Sequence, residues 1–270
     1  MKRVKQQIRS GQPALGMMVR LSRSPDIARI AKTSGHDFLF IDAQHSIFNL
    51  ETISGIAQAA LGCDIDALVR VPSVDVPDIG LMLDNGVAGI VFPDIRNAQD
   101  AQRAVAACRF PPLGSRSVTG GYPQFNFRAM TSSEAMRELE DACLVVCMIE
   151  CPEGLRNLEE ICAVPGIDLI HFGTFDFAAR VGKPGQILDS EVVEAQRRVI
   201  DAARKAGKFV GCAGSRSIEH QVANIQAGAQ FIVTQSDMGF LQSAAKSWTD
   251  GVRHHLAAEA TDRSQDATVS

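Results

Sequence analysis

The sequence predicts a single-domain α/β protein folded as a (β/α)8 (TIM) barrel, and three observations carry that prediction. Eight short apolar runs alternate with segments of helical periodicity between residues 14 and 256, the pattern of repeated strand–helix units around a parallel sheet. No GxGxxG follows an early run, which argues against the runner-up, an open Rossmann-like sheet. Ionisable residues stand directly after several of the runs, at the end of the strands where barrels carry their chemistry.

The elements follow in order. Residues 14–19 form the first predicted strand, and Ser24-Pro25 opens a helix whose buried stripe is Ile27, Ile30 and Ala31. Residues 38–41 form the second strand, ending at Asp42, with a helix over about 50–61. Residues 66–69 form the third, ending at Arg70; the helix after it, about 76–83, stops near Asn85-Gly86. Residues 88–92 form the fourth, ending at Pro93, and Asn97 to Asp100 open the next helix. Residues 143–149 are nearly all apolar, as in a strand covered on both faces, and Glu150 closes the run. Pro152 and Glu153 begin a helix that Pro165-Gly166 stops. Residues 167–172 form the sixth strand, and Gly173 opens a short loop carrying Asp176. A long helix over 192–205 precedes the seventh strand, 209–212; the eighth is 231–234, and a final helix covers about 239–256. The barrel domain is therefore expected over residues 1–256, with 257–270 a polar, disordered tail. Segment 109–133, rich in Pro, Gly, Ser and Arg, reads as an active-site or interface loop.

Composition narrows the partners. A net charge of −4, with one Tyr and one Trp, offers neither a basic surface nor stacking rings for nucleic acid. No apolar run approaches the length of a membrane span, and the charged N-terminus lacks the apolar stretch of a signal peptide. The seven Cys are scattered through apolar segments without a CxxC pair, so they are expected as reduced core residues in a cytoplasmic protein.

Candidate chemistry gathers at the strand ends. Parallel strands joined by a right-handed crossover lie side by side, about 4.8 Å apart, so the carboxylates of Glu150 and Asp176 are expected at one mouth. Two acids crowded together repel or share a proton unless a cation lies between them. Two carboxylates with waters and substrate oxygens suit a hard divalent ion such as Mg²⁺ or Mn²⁺, with Co²⁺ a further candidate; the alternative is two loop acids facing solvent. His45 stands three residues after Asp42, close enough for a carboxylate to fix the imidazole tautomer and support proton transfer; the alternative is a loop histidine bonded to backbone. Arg70 offers a guanidinium to an anionic oxygen such as an enolate, or else an ion pair with Asp42 or Asp84. Gly173-Thr174-Phe175-Asp176 presents main-chain N–H groups suited to a substrate carboxylate. Residues 211–215 form a weaker candidate phosphate loop, His171 reads as a satisfied core histidine, and Arg109, Arg116 and Arg128 as interface or substrate-steering residues.

Together, SPDIARIAKTSGHDFLFIDAQHS, LVRVPSVDVPDIGLMLDNGVAGIVFPDI, CRFPPLGSRS, MIECPEGLRNLEEICAVPGIDLIHFGTFDFA and the late ARKAGK, in this order, make the chain resemble the HpcH/HpaI family of metal-dependent (class II) aldolases over roughly residues 13–250. The resemblance implies a TIM barrel, often with helices exchanged between subunits in a homohexamer built as a trimer of dimers. It implies aldol addition or retro-aldol cleavage of 2-keto acids, with a pyruvate- or hydroxypyruvate-like donor and an aldehyde. Glu150 and Asp176 then look like the two metal ligands, and Arg70 like the residue that binds the donor's keto oxygen. His45 with Asp42 looks like a dyad moving protons through a metal-bound water, and the backbone at Phe175 and Asp176 like the cradle for the donor carboxylate. This chain departs from the family at Met148, where many members carry Gln, at Gln44, where Glu is frequent, and at Phe175, which adds a bulky ring beside the cradle. A decarboxylase or other carbon–carbon lyase using the same enolate, and a catalytically silent keto-acid binder, are the rival readings.

Overall fold

Eight parallel strands close into one barrel in sequence order: β1 (Ala14–Val19), β2 (Phe38–Asp42), β3 (Asp66–Arg70), β4 (Gly89–Phe92), β5 (Leu144–Ile149), β6 (Leu169–Gly173), β7 (Phe209–Ala213) and β8 (Phe231–Ser236), which returns to β1. The computed structural model describes residues 4–214 and 217–266. The helices are α1 (Val4–Arg9), α2 (Ile27–Thr33), α3 (Leu50–Gly62), α4 (Ile79–Asp84), α5 (Ala98–Cys108), α6 (Ser132–Ala142), α7 (Pro152–Arg156), α8 (Leu158–Ala163), α9 (Thr174–Arg180), α10 (Ser190–Lys205), α11 (Ile218–Ala227) and α12 (Asp237–Asp266). A closed barrel leaves no open sheet, so the Rossmann-like alternative is excluded. Among the described residues no helix is long and apolar enough to cross a membrane.

The alternation of side chains along each strand divides the core in two. Leu39, Ile41, Val69, Ile90, Val145, Cys147 and Ile170 face the helices, in one cluster with Ile53, Ile56 and Val199. Phe38, Phe40, Leu68, Val146, Met148, Leu169 and Phe231 fill the interior. The same alternation makes Asp42, Arg70 and Glu150 inward-facing at the upper rim. Register then sets neighbours: Asp42 pairs with Arg70, and Glu150 and Gly173 come one step beyond the pair Ile149–Phe172.

Local signals account for several helix starts. Asn49 accepts from the Thr52 N–H at 2.8 Å and Asn97 from the Asp100 N–H at 2.9 Å, both satisfying first-turn donors. Thr131 and Glu134 cap α6 reciprocally. The predicted helix after Glu150 is broken at Asn157 into α7 and α8.

One element is new and three expectations change. The six-residue α1 plugs the N-terminal mouth, burying Val4 and Ile8 in the interior cluster and pairing Lys5 with Asp168 at 2.7 Å. Segment 109–133 is not an active-site loop in its own chain: Phe110 and Tyr122 pack on α6 residues Ala135 and Leu139. Arg109 and Arg116 are likewise not steering residues. Arg109 is buried between Asp168, at 2.5 Å, and Glu140, at 3.0 Å, and Arg116 is paired with Asp84 at 2.6 Å. The last helix does not end near residue 256; it continues to Asp266, while 267–270 lie outside the described residues, as does Ser215 of the candidate phosphate loop.

Candidate active site

The C-terminal ends of the strands surround a cleft of about 720 Å³ lined by Arg20, His45, Arg70, Phe175, Asp176 and Lys246 among others. Glu150, 2 % exposed, lies buried against Gly173, which lines the cleft. One carboxylate oxygen, Oε1, accepts the Asp94 main-chain N–H at 2.8 Å; the other, Oε2, is buried without a hydrogen-bond partner. Burial, and next the charge of Asp176, push the Glu150 carboxyl up to about 7. A shielded carboxylate with one open oxygen and a second carboxylate beside it is the donor arrangement a hard divalent ion takes, and these two residues fit such an ion. Among the described residues no group of three or more His, Cys, Asp and Glu forms a protein-only cage, so water and substrate oxygens would complete the shell.

Asp176 does not sit on a loop. It occupies the first turn of α9, whose N-cap is Gly173, where helix N–H groups lack intrahelical acceptors. Gly173 is required by its neighbour: a Cβ placed on it would meet Glu150 Oε2 at 2.4 Å. Thr174 is buried, and its hydroxyl donates to the Ala213 carbonyl at 2.8 Å, so the side chain fastens α9 to β7. Phe175 is 38 % exposed and packs beside Gly214.

Asp42 is fully buried and holds Arg70: its Oδ1 accepts from Arg70 Nε at 3.0 Å, and Arg70 Nη2 lies 2.9 Å from the same oxygen in an ion pair. The same oxygen accepts the His45 main-chain N–H at 3.3 Å. The link between Asp42 and His45 thus runs through the backbone and not through the imidazole, because strand register sets Arg70 directly opposite Asp42 and the following turn folds back on it. The His45 side chain is exposed at the cleft. Arg70 also lies over the Phe40 ring, 5.7 Å from its centroid.

Two residues at the mouth escaped the sequence reading. Asp94, just after β4, takes a left-handed backbone (φ 54°). Its N–H donates to Glu150, while its carboxylate bonds Arg96 and, on α9, Arg180; it braces Glu150 against the helix that carries Asp176. Burial opposes it, but hydrogen bonds from Arg96 and Arg180 hold the Asp94 carboxyl below the usual carboxylate range. Arg20 follows β1, with Nε 3.3 Å from Asp42 Oδ2. Both residues carried the same signal as Asp42 and Arg70, a charge after an apolar run. His171 is where the interior reading put it, fully buried, but neither ring nitrogen finds a partner, and burial, then the Arg70 charge, lower it to about 3.

The family model described as HpcH/HpaI aldolase/citrate lyase matches residues 16–258. The chain is 35 % identical over 241 residues to 4-hydroxy-4-methyl-2-oxoglutarate aldolase cghB of Chaetomium globosum, covering 87 % of this chain and 89 % of that protein. It is 30 % identical to the hydroxypyruvate/pyruvate aldolase of Delftia acidovorans, over 97 % and 95 % of the two chains. Among solved structures, the HpcH/HpaI aldolase from Desulfitobacterium hafniense superposes with a TM-score of 0.89 at 26 % identity, covering 93 % of this chain and 96 % of that one.

Proposed function

The chain belongs to the HpcH/HpaI aldolase/citrate lyase family, and on that premise we propose how its barrel mouth makes and breaks the carbon–carbon bond of 2-keto acids. It is a keto-acid aldolase, a carbon–carbon lyase acting on small molecules, of a family that is generally dependent on a divalent metal. The observation that carries the site assignment is the buried Glu150 carboxylate, one oxygen unpartnered, beside Asp176 and at the same mouth as Arg70.

Glu150 and Asp176 are the residues that would hold the ion, with Mg²⁺ or Mn²⁺ favoured by an all-oxygen donor set. When bound, such an ion supplies Lewis acidity toward a keto oxygen, a contribution of several kcal/mol to the transition state. Arg70, fixed by Asp42, donates to the keto oxygen of the pyruvate- or hydroxypyruvate-like donor as it gains enolate charge. The first-turn N–H groups of α9 orient the donor carboxylate. His45 moves the proton at donor C3. The enolate carbon then adds to the carbonyl carbon of an acceptor, whose oxygen takes up a proton; cleavage runs these steps in reverse.

Exchange of α12 between copies of this chain completes the proposal for the assembled enzyme. Leu241, Trp248, Val252 and Leu256 are exposed along this helix, at spacings that share one face, and a homohexamer of exchanged dimers would cover them.

The deciding experiment measures aldol cleavage and donor C3 exchange in deuterated water, with and without chelator, for wild type and Glu150→Ala. Both treatments are expected to abolish turnover, and added Mg²⁺ or Mn²⁺ to restore only the wild type. Full activity in chelated protein and in Glu150→Ala would overturn the assignment.

A further inference from the structure

Asp94 touches both Glu150 and the helix that carries Asp176. It follows β4 in segment 93–97, and its main-chain N–H donates to Glu150 Oε1 at 2.8 Å. Its carboxylate pairs with Arg180, the last residue of α9. Arg180 stands four residues after Asp176 in that helix, so the two share one face. The bond to Asp94 therefore turns toward Glu150 the face of α9 that carries Asp176. The start of α9 is fastened separately, by the Thr174 hydroxyl to the Ala213 carbonyl at 2.8 Å.

The segment that holds Asp94 is itself fixed. The Ile95 N–H donates to the Met148 carbonyl on β5 at 3.1 Å, and Asn157, between α7 and α8, donates through Nδ2 to the Arg96 carbonyl at 2.9 Å. The Arg96 N–H donates to Asp100 Oδ2 at 3.1 Å, and Arg96 Nε to Asp94 Oδ2, also at 3.1 Å. An isolated, partly exposed ion pair contributes little, whereas a carboxylate shared by two guanidiniums on an anchored main chain forms a network; the Asp94 side chain is 28 % exposed. The Asp94 N–H also occupies Oε1, so Glu150 has one oxygen, Oε2, to offer a cation. Single carboxylate oxygens at a fixed spacing suit Mg²⁺, with bonds of about 2.1 Å and a near-octahedral shell. Ca²⁺ takes bonds of about 2.4 Å, more ligands, and often both oxygens of one carboxylate.

We propose that Asp94, together with Arg180, is a positioning residue that fixes the spacing of the Glu150 and Asp176 carboxylates and so makes the site choose a small dication over Ca²⁺. This rests on the assignment of those two carboxylates as metal ligands above. Asp94 is not itself a ligand: its two carboxylate oxygens are bonded to Arg180 and Arg96. With the Asp94–Arg180 bond removed, α9 is held only at its Thr174 end, and the two carboxylates can separate to accept longer bonds. The loss then falls on Mg²⁺, which demands a regular shell, more than on Ca²⁺, which tolerates an irregular one.

Wild type, Asp94→Asn and Arg180→Gln are compared by Mn²⁺ binding, read from the electron paramagnetic resonance signal of the free ion, and by displacement of Mn²⁺ with Mg²⁺ and with Ca²⁺. Asparagine accepts the left-handed backbone at position 94 and keeps its N–H. The two substitutions move the local charge in opposite directions, since one removes a carboxylate and the other a guanidinium. A purely electrostatic effect would weaken both ions in Asp94→Asn, strengthen both in Arg180→Gln, and leave their ratio unmoved. The expected result is a fall of ~10-fold in the Mg²⁺-to-Ca²⁺ affinity ratio in both variants, the lower end of what loss of a ligand's support costs a metal site. Either variant carries the test if the other does not fold. An unmoved ratio, including an equal fall for the two ions, overturns the proposal, while Mn²⁺ binding to wild type and its loss in Glu150→Ala leave the ligand assignment intact. Wild type that binds no Mn²⁺ overturns that assignment and this inference with it.

Discussion

Gly173 leaves the space that Glu150 fills: a methyl group on residue 173 would sit 2.4 Å from Glu150 Oε2 and 2.7 Å from its Cβ. The two meet because β5 and β6 pair in register through Ile149 and Phe172. Gly173→Ala should displace the carboxylate and leave the barrel folded. Divalent-ion affinity is expected to fall about 10- to 100-fold, the usual effect of disturbing a ligand's support, read by calorimetric titration with Mn²⁺. Unchanged affinity would remove Glu150 Oε2 from the ligand set.

Glu150 also couples stability to pH. Its folded-state value, raised by burial and then by Asp176 from 4.5 to about 7, lies above that of the unfolded chain. Its contribution is fully present below about pH 4.5 and is lost as pH rises through 7. In metal-free protein the loss amounts to ~3 kcal/mol by pH 8. Glu150→Gln should match the wild type in denaturant unfolding at pH 4.5 and exceed it at pH 8, and added Mn²⁺ should close that gap. Parallel pH profiles for the two proteins would show that the carboxyl is not buried as described.

Arg70 reaches one Asp42 oxygen through both Nε and Nη2. Lysine offers a single point charge and cannot keep both contacts while facing a keto oxygen. Arg70→Lys is expected to lower kcat about 100- to 1000-fold, in line with loss of a donor to a developing oxyanion, and to slow pyruvate C3 exchange to the same degree. A fall in aldol addition with normal exchange would place Arg70 on the acceptor and not on the enolate.

His171 sits between the Phe40 and Phe231 rings, centroids 6.2 and 6.0 Å away, with both nitrogens unpartnered. Burial, then the Arg70 charge, lower it from 6.5 to about 3, so the folded chain resists the proton that the unfolded chain accepts. The stability this gives is present above pH 6.5 and lost as pH falls toward 3. His171→Phe removes that loss and the two unsatisfied nitrogens. Its advantage over wild type should be about 2 kcal/mol larger at pH 5 than at pH 8, measured by urea unfolding. An advantage independent of pH would mean that the ring is hydrated or charged in the folded state.

The sequence alone determined the strands and their order. A strand in a barrel is covered on both faces, so its apolar run is local and bounded, and β1 begins and ends at the residues read from the chain. The same locality exposed Asp42, Arg70 and Glu150, since a charge after an apolar run marks the strand's end. Short helices were less visible: α1 and α9 have six and seven residues, too few to display a helical period, and so Asp176 was read on a loop. Only the tertiary structure decided partnerships. That Asp42 serves Arg70 and meets His45 through the main chain, and that Asp94 braces Glu150 against α9, both depend on strand register and barrel closure. Such contacts join residues distant in the chain, and hydrophobic periodicity, which reports only each residue's own face, does not encode them.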